Sequence, residues 1–174
     1  SPEKADAKVS AAGERMRESL QVIRESVRLV DSRDNSVPFG DLVKTLTICL
    51  RQFEMDANTR IYNNLGDISE DILGMSISAE HARFLYGAAQ ECLTNSIKHG
   101  KASKVTLYVT FGQDFIEMVA TDNGNGKQPA GSEEGKGFGL KKIDSYLKAN
   151  GGYLTCRSGP GFSVTIWLPI GEAD

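Results

Sequence analysis

A carboxylate and a carboxamide stand four residues apart at Glu91 and Asn95, and Lys98 and His99 follow within one helical turn. Further on, Asp122-Asn123-Gly124-Asn125-Gly126 sets a second carboxylate at the head of a glycine-rich run. A second glycine cluster is Gly135-Lys136-Gly137-Phe138-Gly139-Leu140. Side-chain oxygens suit a hard cation such as Mg²⁺. Glycines, for their part, let backbone N–H groups come close to an anion. Together the three segments are material for holding a magnesium-bound nucleotide.

The familiar phosphate motifs do not account for them. The run Gly131-Ser132-Glu133-Glu134-Gly135-Lys136-Gly137 is one residue short of a P-loop and has glycine where a hydroxyl should meet the metal. Glycines 135, 137 and 139 fail the dinucleotide spacing, and no βαβ unit surrounds them. Neither a protein-kinase catalytic loop nor a nucleophile elbow is present.

The elements that must position these residues are readable from periodicity. Ser78 is a helix N-cap, and Leu85, Ala89, Leu93 and Ile97 recur every four residues as a core stripe. Glu91, Asn95 and Lys98 fall on another face of that helix, and Gly100 is read as its left-handed stop. Val105, Leu107, Val109 and Phe111 alternate with polar residues, and Phe115 to Thr121 returns as a second strand that delivers Asp122. Residues 123–136 read as a lid-like loop. Phe138 to Leu147 follows helical spacing up to Asn150-Gly151-Gly152, and a hairpin closes the chain over Tyr153 to Arg157 and Phe162 to Leu168. On its last strand Phe162, Val164, Ile166 and Leu168 face one way and Trp167 the other.

Upstream, Phe39 to Phe53 reads as a buried helix and Thr59 to Leu65 as a short strand. Earlier still, Val9, Met16, Ile23 and Val30 recur every seven residues, with Leu20 and Val27 between them. This is an a/d seam on a helix over residues 3–30, about 42 Å long, that calls for a partner helix. Val37-Pro38 breaks it, so residues 1–35 and 36–174 are expected to be separate units. The pattern predicts an α/β two-layer sandwich, its mixed, mainly antiparallel sheet carrying helices on one face, preceded by one long helix.

Bulk properties narrow the partners. The chain has 174 residues, 40% hydrophobic and 25% charged, with a net charge of −3. That balance gives no basic character for nucleic acid. No apolar run is long enough to span a bilayer, and the fragment is expected to be cytoplasmic with no membrane contact of its own. Cys49, Cys92 and Cys156 lack any metal spacing and read as buried thiols. The start at Ser1-Pro2, without Met, reads as a boundary inside a longer protein.

Taken in order, Glu91-x-x-x-Asn95, Asp122-x-Gly124-x-Gly126 and Gly135-x-Gly137-Phe138-Gly139-Leu140 resemble the three boxes of one ATP-binding domain. Sensor histidine kinases, type II topoisomerases, heat-shock chaperone ATPases and mismatch-repair ATPases share that domain, which has the Bergerat-type fold. Gly137 to Ile143, Gly151-Gly152, and Gly161 before Val164-Thr165-Ile166-Trp167-Leu168-Pro169 make the chain similar to the catalytic domain of two-component histidine kinases. Asn95-x-x-Lys98-His99 and the short lid resemble the branch that pairs with LuxR-type response regulators.

The resemblance covers roughly residues 37–170 and implies ATP and Mg²⁺ as ligands. It implies that Asp122 accepts from the adenine amino group, Asn95 binds Mg²⁺, and Glu91 acts as base or orienter of the nucleophile. Gly124 and Gly126 would admit the base and hinge the lid. Gly137, Gly139 and Leu140 would form the phosphate-side box, with Lys98, His99 and Lys136 as further cationic candidates. The seam helix becomes half of a dimerisation hairpin, with a homodimer and a response regulator as partners. The acceptor histidine of such a hairpin has no counterpart here, since His81 sits on the helix that also carries Asn95. An anti-sigma-factor serine kinase shares the same boxes, and a non-catalytic nucleotide-binding or dimerising module is the third alternative.

Overall fold

A computed structural model of the chain describes residues 35–126 and 138–171, together with scattered helical positions between residues 8 and 17. In order, its elements are strand β1 (Ser36–Pro38), helix α1 (Phe39–Ala57), strand β2 (Arg60–Asn63), a short helix α2 (Glu70–Leu73) and strand β3 (Ser76–Ser78). Helix α3 (Ala79–Thr94) follows and runs into a π-helical turn over Asn95–His99. Strands β4 (Lys104–Phe111) and β5 (Phe115–Asp122), helix α4 (Phe138–Ala149) and strands β6 (Tyr153–Ser158) and β7 (Phe162–Pro169) complete the fold.

The main sheet has the order β2-β4-β5-β7-β6. Three of its pairings are antiparallel, and β2 runs parallel to β4. A parallel pair needs a long crossover, and here α2, β3 and α3 supply it. Asn64 extends the short β2 edge with its side chain: its amide donates to the Val109 carbonyl at 2.8 Å and its oxygen accepts from Val109 N at 2.9 Å. The mixed, mostly antiparallel sheet layered with helices is the architecture expected from the sequence.

Side chains alternate across each strand, so one face of the sheet is apolar throughout. Val105, Leu107 and Val109 on β4, Ile116, Met118 and Ala120 on β5, and Phe162, Val164, Ile166 and Leu168 on β7 are all buried. Against them lie Leu42, Leu46 and Leu50 of α1, Leu85, Ala89 and Leu93 of α3, and Leu140, Ile143 and Leu147 of α4. Each fully buried side chain of this size contributes roughly 1.5–3 kcal/mol. Phe39, with no exposed surface, meets Phe111 edge-on with ring centroids 4.8 Å apart. The opposite face carries Trp167, stacked on Tyr153 and Phe115 with centroids 5.5 Å away in both cases.

A second, two-stranded ladder was not foreseen from the sequence. β1 pairs antiparallel with β3, Val37 opposite Ile77, and ties the start of α1 to the start of α3. Phe39 N donates to Met75 O at 2.7 Å and Ala79 N to Asn35 O at 2.9 Å. The expected N-cap is present, with Ser78 Oγ accepting from His81 N at 3.0 Å.

The seam residues Val9, Leu20, Ile23, Val27 and Val30 lie outside the described residues, while Met16 sits in a helical stretch and is 68% exposed. Lys136 and Gly137, and all of the expected lid beyond Gly126, also lie outside them. Among the described residues, no helix is long and apolar enough to cross a membrane.

Candidate functional site

Pleating decides where Asp122 points. Ile116, Met118 and Ala120 face the helices, so Asp122, the next residue in that series, faces the same way at the strand's end. Its carboxylate is 8% exposed and lies beneath the C-terminal end of α3. Oδ1 accepts from Gly124 N at 2.8 Å and from Phe162 N at 3.2 Å. Oδ2 accepts from the Ser96 hydroxyl at 2.6 Å. A buried carboxylate with its acceptors held this way presents a fixed hydrogen-bond edge.

The helix end opposite is built to match. Gly100 N bonds to Asn95 O at 2.8 Å, five residues back, which widens the last turn by one residue. Asn95 and Ser96 at the start of this turn both face inward, at 8% and 6% exposure, while Lys98 and His99 at its end are exposed. The expected common row of Glu91, Asn95 and Lys98 is therefore divided. Gly100 does not act as a left-handed stop either. It keeps a right-handed helical φ of −80°, and Lys101 takes the left-handed one at 51°. What requires glycine at 100 is room, because a β-carbon there would stand 2.7 Å from Ser96 O.

Two asparagines of the glycine-rich run tie it to this turn. Asn123 Oδ1 accepts from Ser103 N at 3.0 Å and Lys104 N at 2.9 Å. Asn125 N donates to Gly100 O at 2.9 Å, and its side-chain amide donates to His99 O at 3.3 Å. Gly124 lies against the Gly100 carbonyl, where no β-carbon fits, and Gly126 makes a left-handed turn at φ 68°. Asp122, Gly124, Asn95 and Ser96 thus form one rigid corner.

Glu91 looks elsewhere. It lines a groove of about 340 Å³ between α3 and α4 with Phe84, Gly87, Gly139, Lys142 and Tyr146. Gly139 packs directly on the Glu91 side chain, leaving no space for a β-carbon. Leu140 is fully buried and packs in the core. Among the described residues no cluster of three or more His, Cys, Asp or Glu could hold a metal. Within the corner the side-chain oxygens are those of Asn95, Ser96 and Asp122, the last two bonded to each other. Asn95 Nδ2 is buried and has no hydrogen-bond partner. Such an orphan donor costs about 1–3 kcal/mol; the carboxamide oxygen of the same group is a hard donor of the kind Mg²⁺ takes.

A family described as histidine kinase-, DNA gyrase B-, and HSP90-like ATPase matches residues 80–172. The chain belongs to that family. The matched stretch takes in the Asn95 turn, the Asp122 corner and α4. A curated histidine-kinase relative, the signal transduction histidine-protein kinase/phosphatase UhpB of Salmonella typhimurium, is 30% identical over 128 residues, which are 74% of this chain and 24% of that protein. The chain thus spans about a quarter of this relative.

Two solved structures share the fold. The histidine kinase domain of the blue-light activated histidine kinase from Erythrobacter litoralis EL346 superposes with a TM-score of 0.63 at 15% identity, over 92% of this chain and 82% of that one. The ATP binding domain of PrrB from Mycobacterium tuberculosis gives 0.51 at 20% identity, over 80% and 100%.

Sequence reasoning missed Ser96, the Phe162 N–H and the asparagine ties. Ser96 carried a signal: it lies four residues after Cys92 and three after Leu93, on the core stripe, where a hydroxyl needs a partner.

Tyr146, which lines the groove, also makes a titratable contact between the helices. His81 Nδ1 is 2.8 Å from Tyr146 Oη, and Tyr146 stacks on Phe84 with centroids 3.9 Å apart. Burial pushes the Tyr146 hydroxyl up to about 12, helped by the neighbouring Glu80 carboxylate, so it stays protonated. Burial lowers His81, against the opposing pull of Glu80. The folded state then binds a proton at His81 less tightly than the unfolded chain. Its contribution is complete above the unfolded value of about 6.5 and is lost as pH falls below it. The urea midpoint of the wild type should therefore drop more between about pH 7 and about pH 5 than that of His81→Gln. Equal drops would remove His81 from the balance.

Proposed function

We propose that this chain is the ATP-binding catalytic portion of a sensor histidine kinase, working with Mg²⁺ and passing the γ-phosphoryl group to a histidine outside the chain. The observation that carries the reading is the Asp122 corner: a buried, fixed acceptor edge at a strand end, facing a π-widened helix turn at whose start Asn95 faces inward. Adenine offers an amino donor where guanine offers a carbonyl acceptor. A carboxylate held as an acceptor therefore selects adenine. Asn95 would hold Mg²⁺ through its carbonyl oxygen. The ion, when bound, neutralises charge on the phosphates.

Glu91 faces the groove at the start of α4, where it can orient an incoming imidazole and accept its proton. The imidazole nitrogen bonds to the γ-phosphorus and ADP leaves. Gly139 leaves Glu91 the room to stand there. Gly137, Lys136, Lys98 and His99 complete the phosphate side in this reading, and Leu140 supports it from the core. Residues 1–35 act as the second helix of a dimerising hairpin and 36–174 as the catalytic unit. The partners are a second copy and a response regulator, the LuxR type by resemblance, in the cytoplasm.

The test supplies what the chain lacks. With a hairpin bearing the acceptor histidine added and labelled Mg-ATP present, acid-labile, base-stable phosphate should form on the hairpin. Asn95→Ala should reduce Mg-dependent ATP affinity about tenfold, on the scale of one hydrogen bond or ligand to a charged group, and slow labelling with it. Acid-stable phosphoserine on another substrate would instead favour the serine-kinase alternative. ATP binding without any transfer would favour a non-catalytic module.

A further inference from the structure

Among the described residues, the hydroxyl of Ser96 is the one side-chain group that hydrogen-bonds to the Asp122 carboxylate, and no box of the motif includes it. Both residues are buried, at 6% and 8% exposure, and the bond between them is short at 2.6 Å. The two oxygens of Asp122 are not equivalent. Oδ1 already receives two backbone N–H groups, from Gly124 and Phe162. Among the described residues Oδ2 receives only the Ser96 hydrogen, and so retains acceptor capacity.

Helical spacing brings the hydroxyl there: Ser96 follows the buried Cys92 by four residues and the buried Leu93 by three, and so faces the strand end. Alanine, for which the space is ample, would complete the packing as well as serine does. The hydroxyl therefore serves the carboxylate.

We propose that Ser96 is a positioning residue for base selection. By donating to Oδ2 it sets the plane of the Asp122 carboxylate and turns the remaining lone pair toward the amino group of the base. The inference rests on Asp122 being the adenine reader. Without the hydroxyl, Oδ2 is left to water, which competes with the incoming amine, and the carboxylate plane is held from one side only.

The experiment compares ATP with the triphosphate of purine riboside, which carries hydrogen in place of the amino group, on the whole chain with Mg²⁺. The wild type should prefer ATP. Ser96→Ala should weaken ATP about tenfold and leave the purine analogue within about twofold, so the preference falls by roughly the same tenfold factor. Ser96→Thr, which keeps the hydroxyl, should retain most of it. If Ser96→Ala weakens both nucleotides equally, or keeps the wild-type preference, Ser96 has no positioning role although the adenine reading stands. If the wild type itself shows no preference for the amino group, the adenine reading falls and the role of Ser96 with it. Thermal unfolding of each variant separates loss of selectivity from loss of fold.

Discussion

Asp122→Asn should weaken ATP binding by about two orders of magnitude while leaving the fold almost untouched. The asparagine oxygen can take the place of Oδ1 and keep the hydrogen bonds from Gly124 N and Phe162 N. Its amide then replaces Oδ2. Ser96 can adapt, because a hydroxyl accepts as readily as it donates. An adenine amino group cannot, and donor meets donor. Losing a hydrogen bond to a charged group removes about 1.5–3 kcal/mol, and a buried donor left unpaired adds to it. A loss near 2.7 kcal/mol corresponds to about a hundredfold. Calorimetric titration with Mg-ATP reads the affinity, and a urea curve on the same samples should shift by no more than about 1 kcal/mol. Affinity within threefold of the wild type would sink the assignment of Asp122.

Gly161→Ala should damage both stability and binding, although residue 161 belongs to none of the three boxes. A β-carbon there would run into the Asp122 carbonyl oxygen and come within 2.8 Å of its carbon and 3.3 Å of Asn123 Cα. All of these are backbone atoms, so nothing flexible can yield. The tip of the β6–β7 hairpin would have to lift away from the corner and take the Phe162 N–H with it. Overpacking costs about 1–3 kcal/mol and the lost hydrogen bond to a carboxylate a comparable amount. A combined loss of about 3 kcal/mol in unfolding free energy, with ATP affinity reduced at least about tenfold, is the expected result. Gly159 is two residues away on the same turn, and its β-carbon would meet nothing within 4 Å. Gly159→Ala should change stability by less than about 0.5 kcal/mol. Similar behaviour of the two alanine variants would refute the close approach.

The parts legible in the sequence are those where one physical rule acts alone. Alternation on β5 and β7 placed Phe162, Val164, Ile166 and Leu168 on the core face and Trp167 on the other, and so the molecule folds. The Ser78 cap was readable because its hydroxyl serves a backbone N–H three residues on. What was not legible depends on competition between rules. A π-helical turn adds one residue without altering composition, so Glu91, Asn95 and Lys98 were expected on one face, whereas Asn95 is buried and Lys98 exposed. At Gly100 the sequence suggested a need for unusual φ, whereas the need is for space against Ser96 O. The β1–β3 ladder is three residues long on each side, too short to show alternation. Tertiary pairing alone creates it.

Trp167 is the only tryptophan in the chain, and it lies flat against Tyr153 and Phe115 on the face of the sheet turned away from the helices. Five residues of strand separate it from Phe162, about 17 Å along β7. Its emission is thus an optical probe of whether the sheet is intact, insulated by distance from events at Asp122. Indole fluorescence can follow denaturation of every variant above. Occupancy must be read by other means.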